Sequence, residues 1–124
     1  MIEIFVPYIA PSTNAIYAGV HHRVRMKHKR QARIAVMSAV AGLAPIRTKV
    51  DIVFTPRLGK SEVSRDTSNY SYGAKLIEDC IVECGLLKDD TNKFVGNVTL
   101  HELLIDREKQ SGVIVRIYPR TGEE

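Results

Sequence analysis

No run of this chain is apolar for long enough to cross a membrane, and its first residues lack the charged, apolar and small-residue order of a secretory signal. A cytoplasmic protein with no membrane partner is the simplest expectation. Cysteine is nearly absent: only Cys80 and Cys84 occur, four residues apart in a helical pattern, with no further cysteine to complete a zinc site. They read as reduced thiols packed on one face beside Leu76, Ile77 and Ile81. Repeats, low-complexity tracts and linkers are missing too. The 124 residues suffice for one hydrophobic core but not for two, so residues 1–124 are read as a single domain. The sharpest gap is in charge. Between Glu3 and Asp51 there is no acid, whereas eight basic residues occur.

Six of those, Arg23, Arg25, Lys27, Lys29, Arg30 and Arg33, crowd into one stretch, although the net charge of the whole chain is only +4. Such a patch is the electrostatic footprint of a phosphate-backbone binder, or else a solvated helix face. His21 and His28 lie in the same stretch and read as phosphate neighbours.

Residues 1–6 alternate apolar and polar side chains and predict a strand that Pro7 stops. A loop through Pro11, Ser12, Thr13, Asn14 and Gly19 leads to a helix over residues 27–43, with Val36, Val40 and Leu43 on one face, Met37 beside it, and Pro45 closing it. Val50, Ile52 and Phe54 alternate in a second strand halted by Pro56, and residues 57–64 read as a polar loop. A second helix begins near Ser68, with Asp66 or Ser68 as its cap, buries Leu76, Ile77, Cys80, Ile81 and Cys84, and stops at Gly85. Two strands follow, at residues 93–105 and 113–118, and the polar segment 106–112 makes them a hairpin. The expected class is α/β in the broad sense, more strictly α+β: a mixed sheet with two helices packed on it, in the order strand, helix, strand, helix, strand, strand.

Arg65-Asp66-Thr67-Ser68-Asn69, then Lys75, then Lys88-Asp89-Asp90-Thr91 carry the chemistry. Carboxylates from two loops, with a lysine and an asparagine between them, can hold a hard cation beside a phosphate. That pattern suits metal-dependent phosphodiester hydrolysis. A helix from Ser68 to Cys84 is about 25 Å long at 1.5 Å per residue, so Asp66 and Asp90 meet only if the chain after the helix folds back. Each piece also has a plain structural reading: Asp66 as a cap, Lys75 paired with Asp79 one turn on, Asp89-Asp90 as a turn. Gly59-Lys60-Ser61 lacks the first glycine of a phosphate-binding loop, and Asn97-Val98-Thr99 is an idle glycosylation acceptor without a secretory signal.

Pro11-Ser12-Thr13-Asn14 with Tyr17, the basic first helix, the motif at residues 65–69, Lys75, Asp79, Ile81, Gly85 and Asp89-Asp90 together resemble the RusA-type Holliday junction resolvases of bacteria and their phages. The resemblance runs from about residue 4 to residue 118. It implies a homodimer that makes paired, metal-dependent nicks in four-way or branched DNA during recombination and repair. Asp66 and Asp90, with Asp89, would be ligands for magnesium, or manganese in its place. Lys75, Arg65 and Asn69 would act at the phosphate, and Asn14 and Tyr17 would join Arg23, Arg25, Lys27, Lys29 and Arg30 in contacting DNA. Where the family commonly has Asp-x-Asp-Asn, this chain has Asp66-Thr67-Ser68-Asn69, and its gap from Asn69 to Lys75 is longer than one helical turn. The related alternatives are a flap or fork nuclease and a junction-binding protein whose catalytic centre has decayed at Ser68.

Overall fold

Aliphatic residues at alternate positions, interrupted by two helical stretches, fold into one mixed sheet with helices packed on it. The computed structural model describes residues 1–19, 22–60 and 62–121. The phosphate role read for His21 and the Ser61 of the Gly59-Lys60-Ser61 run lie outside the described residues. In chain order the elements are β1 (Ile2–Val6), α1 (Thr13–Tyr17), α2 (His22–Val40), β2 (Val50–Leu58), a 3-10 turn (Thr67–Tyr70), α3 (Ser71–Glu83), β3 (Val95–Leu100), β4 (Leu104–Ile105) and β5 (Gly112–Pro119).

Strand order is β1-β5-β2-β3, with β4 pairing β2 beyond the end of β3. β5 runs antiparallel to both neighbours, Val115 standing between Ile4 and Phe54, whereas β3 and β4 run parallel to β2. α2 buries Ala32, Val36 and Val40, and α3 buries Ala74, Leu76, Ile77, Cys80 and Ile81. These close over Val6, Ile52, Phe54, Val115 and Ile117, all fully enclosed. Removing such side chains from water at about 25 cal/mol per Å² is the main stabilising force, and Phe54 is the largest of them.

The expected hairpin of the last two strands does not form. Val113, Ile114 and Val115 are all buried, so β5 needs cover on both faces and takes a central place. Asn97, Val98 and Thr99 are exposed, which suits β3 to the edge. To reach its place the chain crosses the end of β2: Arg107 Nη1 donates to the carbonyls of Gly59 (2.7 Å) and Glu62 (2.8 Å), and the Gly59 amide donates to Ser111 Oγ at 2.7 Å.

Pro56 does not halt β2, which continues through the Arg57 and Leu58 that the sequence placed in a loop. The carbonyls of Phe54 and Leu58 accept from His101 and Asp106 on the β3 and β4 side. By the two-residue period Pro56 faces the same side, at the interval between β3 and β4, where a missing N–H breaks no ladder bond. That interval also divides the single strand expected over residues 93–105. α2 begins five residues before its expected start, because its first turns bury nothing and apolar periodicity could not reveal them. It ends at Val40 rather than near Pro45, with Gly42 just beyond it at φ +80°, the left-handed conformation that suits a glycine stop. Leu43 therefore falls outside the helix and stays 40% exposed. Met37 is exposed as well.

A Cβ at Gly59 would strike the Lys109 carbonyl oxygen and lie 2.8 Å from the Ser111 amide, both backbone groups with little room to yield. Gly59→Ala is expected to lower stability by about 1–3 kcal/mol. Urea unfolding checks this, and an unchanged midpoint would mean that the crossing is loose.

Candidate active site

The N-terminal motif docks on the turn that carries the acidic motif. Ser12 caps α1 by accepting from the Ala15 amide at 3.1 Å, which fixes the two residues that follow it. Thr13 Oγ1 shares a hydrogen bond with Ser71 Oγ (2.8 Å), accepts from the Tyr72 amide (3.0 Å) and lies 3.4 Å from the Ser68 carbonyl. The Asn14 amide donates to Asn69 Oδ1 at 3.3 Å. Asn14 and Asn69, far apart in sequence, thus become neighbours at the start of α3. Tyr17, at the end of α1, is 82% exposed.

Arg65 is built into this junction. Its Nη1 donates to the Ala10 carbonyl at 2.9 Å, its guanidinium lies 5.4 Å from the centre of the Tyr70 ring, and its amide donates to the Tyr70 hydroxyl at 3.3 Å. Asp66 sits at the cap position of the 3-10 turn, but its side chain makes no capping bond; only its carbonyl serves the turn, accepting from Asn69 at 2.9 Å. The exposed carboxylate is thereby left for another task.

A second cluster forms halfway along α3. The Gly85 turn, φ +83°, sends the chain back along the helix flank, and Asp90 Oδ2 accepts from Lys75 Nζ at 2.9 Å. Asp79 approaches the same ammonium at 3.2 Å and Glu78 at 4.0 Å. Asp89 Oδ1 accepts from the Asp90 amide at 2.7 Å and holds that loop in shape. The hydrogen bond to Asp90 holds Lys75 well above its ordinary pKa, so Lys75 is a permanent cation. The same bond holds the Asp90 carboxyl low. Glu78 moves the other way: burial pushes its pKa up, Lys75 opposes that, and Asp90 and Asp79 add to it. Asp66 belongs to neither cluster. Among the described residues no three His, Cys, Asp or Glu side chains are grouped so as to hold a metal ion.

On α2 the expected DNA-contacting residues divide. Arg25 Nη2 donates to the Ile16 carbonyl at 3.2 Å, and Glu83 draws Lys29 (3.3 Å) and Arg33 (4.0 Å) towards α3. Arg23, Lys27 and Arg30 present exposed side chains. His28, read as a phosphate neighbour, has its Nδ1 hydrogen-bonded to the Tyr8 hydroxyl, whose pKa burial pushes up to about 12. Cys80 is buried and Cys84 partly so, both free; burial pushes the Cys80 thiol up to about 11, the behaviour of a packing residue rather than a nucleophile.

Sequence reasoning missed Glu78 and Thr13. Glu78 adjoins the apolar stripe of α3 and is three residues from Lys75, a spacing that could have suggested it. Thr13 stood inside the Pro11-Ser12-Thr13-Asn14 motif without a role of its own, since its partners come from a turn more than fifty residues away. Compared with known protein families and with curated proteins, the chain matches none.

Lys75→Met leaves three carboxylates facing one another and should lower the melting temperature by a few degrees at pH 7, the scale of exposed ion pairs. The sign of its pH dependence follows from both shifts. Asp90, held low in the wild type, contributes stability that is lost as pH falls through its folded pKa; Glu78, raised further without Lys75, is relieved as pH falls. The deficit should therefore shrink on acidification from pH 7 to pH 4, and thermal unfolding of both proteins at the two pH values checks it. A deficit that grows in acid would contradict the charge assignment.

Proposed function

We propose that the chain is a magnesium-dependent, structure-selective DNA endonuclease that acts as a homodimer on four-way or branched DNA in recombination and repair. The observation that carries this reading is the return of the Asp89-Asp90 loop to the flank of α3, where Asp90 meets Lys75. That return supplies what a phosphodiesterase needs on one element: a permanent cation and hard oxygen donors. The donor chemistry suits magnesium, which takes one or two protein carboxylates and keeps several waters; Asp90 on this loop would hold it, with Asp66 as the second carboxylate that the resemblance implies, although the fold groups Asp66 with neither cluster. A bound magnesium, or manganese, supplies charge for the phosphate oxygens and lowers the pKa of a coordinated water.

The residues of the chain do the rest. Lys75, kept protonated, faces charge that builds on the phosphate oxygens and does not serve as a base. Asp89 keeps the Asp90 amide, and with it the loop, in place. Asn69, held by Asn14, offers a polar group at the start of α3, and Arg65 anchors the turn that presents Asp66. The exposed cations of α2 bind the DNA backbone. A symmetric dimer matches the approximate two-fold symmetry of a four-way junction and its two strands to be cut. No helix among the described residues is long and apolar enough to cross a membrane, and a cytoplasmic setting suits a DNA substrate.

A second reading is a junction-binding protein that does not cut. Two observations favour it: Ser68 stands where a further carboxylate would add metal affinity, and three carboxylates already clamp Lys75.

Purified protein incubated with labelled four-way, forked and linear DNA, with and without magnesium, tests both. The endonuclease reading expects paired nicks in the four-way DNA only with the metal. Asp66→Asn and Asp90→Asn should each reduce the rate by at least about a hundredfold while binding stays within a few-fold of wild type. Near wild-type cutting by either variant would remove its carboxylate from the site. Binding without cutting under any metal would select the second reading.

A further inference from the structure

A second group of positive charge lies away from the cations of α2. Where the chain enters β2 and where it leaves α3, two segments run side by side: the Ile46 amide donates to the Leu86 carbonyl at 2.8 Å, and the Val50 amide to the Phe94 carbonyl at 2.9 Å. Between them is an open groove with an apolar floor that includes Ile46, Val82 and Leu87, and its charged lining is Arg47, Lys88 and Lys93. Lys88 Nζ lies 5.7 Å and Lys93 Nζ 5.6 Å from the centre of the one Phe94 ring.

No acidic residue lines this groove. Among the described residues none of its three cations has a carboxylate within ion-pair distance, whereas Lys29, Arg33 and Lys75 all do. The comparable groove on α2, lined by Lys29, Arg30 and Arg33, contains Glu83. Ammonium groups brought to one ring over an apolar floor repel each other with less screening than in water, and an anion laid between them relieves that repulsion. Spaced cations on both walls suit a ligand with spaced anions. Lys88 stands two residues before Asp90, so such a ligand leads towards the Lys75 cluster.

We propose that this groove binds the sugar-phosphate backbone of DNA, with Lys88, Lys93 and Arg47 contacting successive phosphates. The proposal rests on the DNA-binding part of the reading above and not on hydrolysis. An acidic polypeptide is the rival occupant. Nucleic acid is favoured because the same chain exposes further cations, Arg23, Lys27 and Arg30, on α2, a second surface suited to phosphates and not needed by a short acidic segment.

Anisotropy of fluorescein-labelled four-way and linear DNA, recorded on the full chain in chelator across a salt series, tests it without any cutting. Lys88→Ala/Lys93→Ala is compared with Lys60→Ala/Lys109→Ala, which removes the same charge elsewhere. The groove variant should lose at least about tenfold in affinity at low salt and flatten the slope of log affinity on log salt by about 2, near 0.9 per phosphate contact, and Arg47→Ala should extend both losses. The control should stay within about twofold of wild type. Equal effects in the two variants, no DNA binding by the wild type, or displacement of DNA by poly-glutamate at lower concentration than by unlabelled DNA would each overturn the groove. A wild type that binds as described but never cuts overturns the endonuclease reading and leaves the groove standing.

Discussion

Burial of β5 on both faces is the constraint from which the rest of the molecule follows. Val113, Ile114 and Val115 are each apolar and enclosed, and the strand lies between two others, with both of its hydrogen-bonding edges paired. Placing it between β1 and β2 sends β3 to the far side of β2, where the pairing is parallel. A parallel neighbour in sequence requires a crossover, and α3 is that crossover. Because α3 spans from the end of β2 to the start of β3, the chain that leaves it must turn back at Gly85, and in turning it lays Asp90 against Lys75. The meeting of two motifs separated by a helix is thus a consequence of how one strand is covered.

Within the site the energetics oppose each other. Glu78 is drawn into the edge of the core by its place beside Leu76 and Ile77, and burial raises its pKa. Lys75 answers that carboxylate and two more, and is held charged in return. Such a cluster keeps the cation oriented before any ligand arrives, at the expense of reducing its pull on a phosphate. Removing one partner exposes the repulsion among the others. The same feature therefore supports both a prepared phosphodiesterase and a site too well neutralised to act.

Much of the fold was legible because period and punctuation agreed. Ile4 and Val6, Val36 and Val40, and Leu76, Ile77, Cys80 and Ile81 announce β1, α2 and α3, and Gly85 ends α3 where a glycine stop is expected. Partner choice was not legible. The alternation of Val113, Val115 and Ile117 reads as one covered face, and the weight of Ile114 on the other face becomes visible only once its neighbours are known. α1 is five residues long, too short for a period to show, although Ser12 was there to cap it. At the site, Lys75 and Asp90 were legible as members of one chemical set. The tie of Asn14 to Asn69 and the inclusion of Glu78 depend on tertiary contacts that no local pattern encodes.

The central claim is that the loop after α3 and the helix flank form one site for a cation beside a phosphate. Manganese, paramagnetic and chemically close to magnesium, reports that site directly when titrated into isotopically labelled protein and followed by amide resonances. The account predicts selective broadening at residues 66–69, 75–79 and 89–91, reversed by excess magnesium. Broadening centred elsewhere, or none at millimolar manganese, would contradict it.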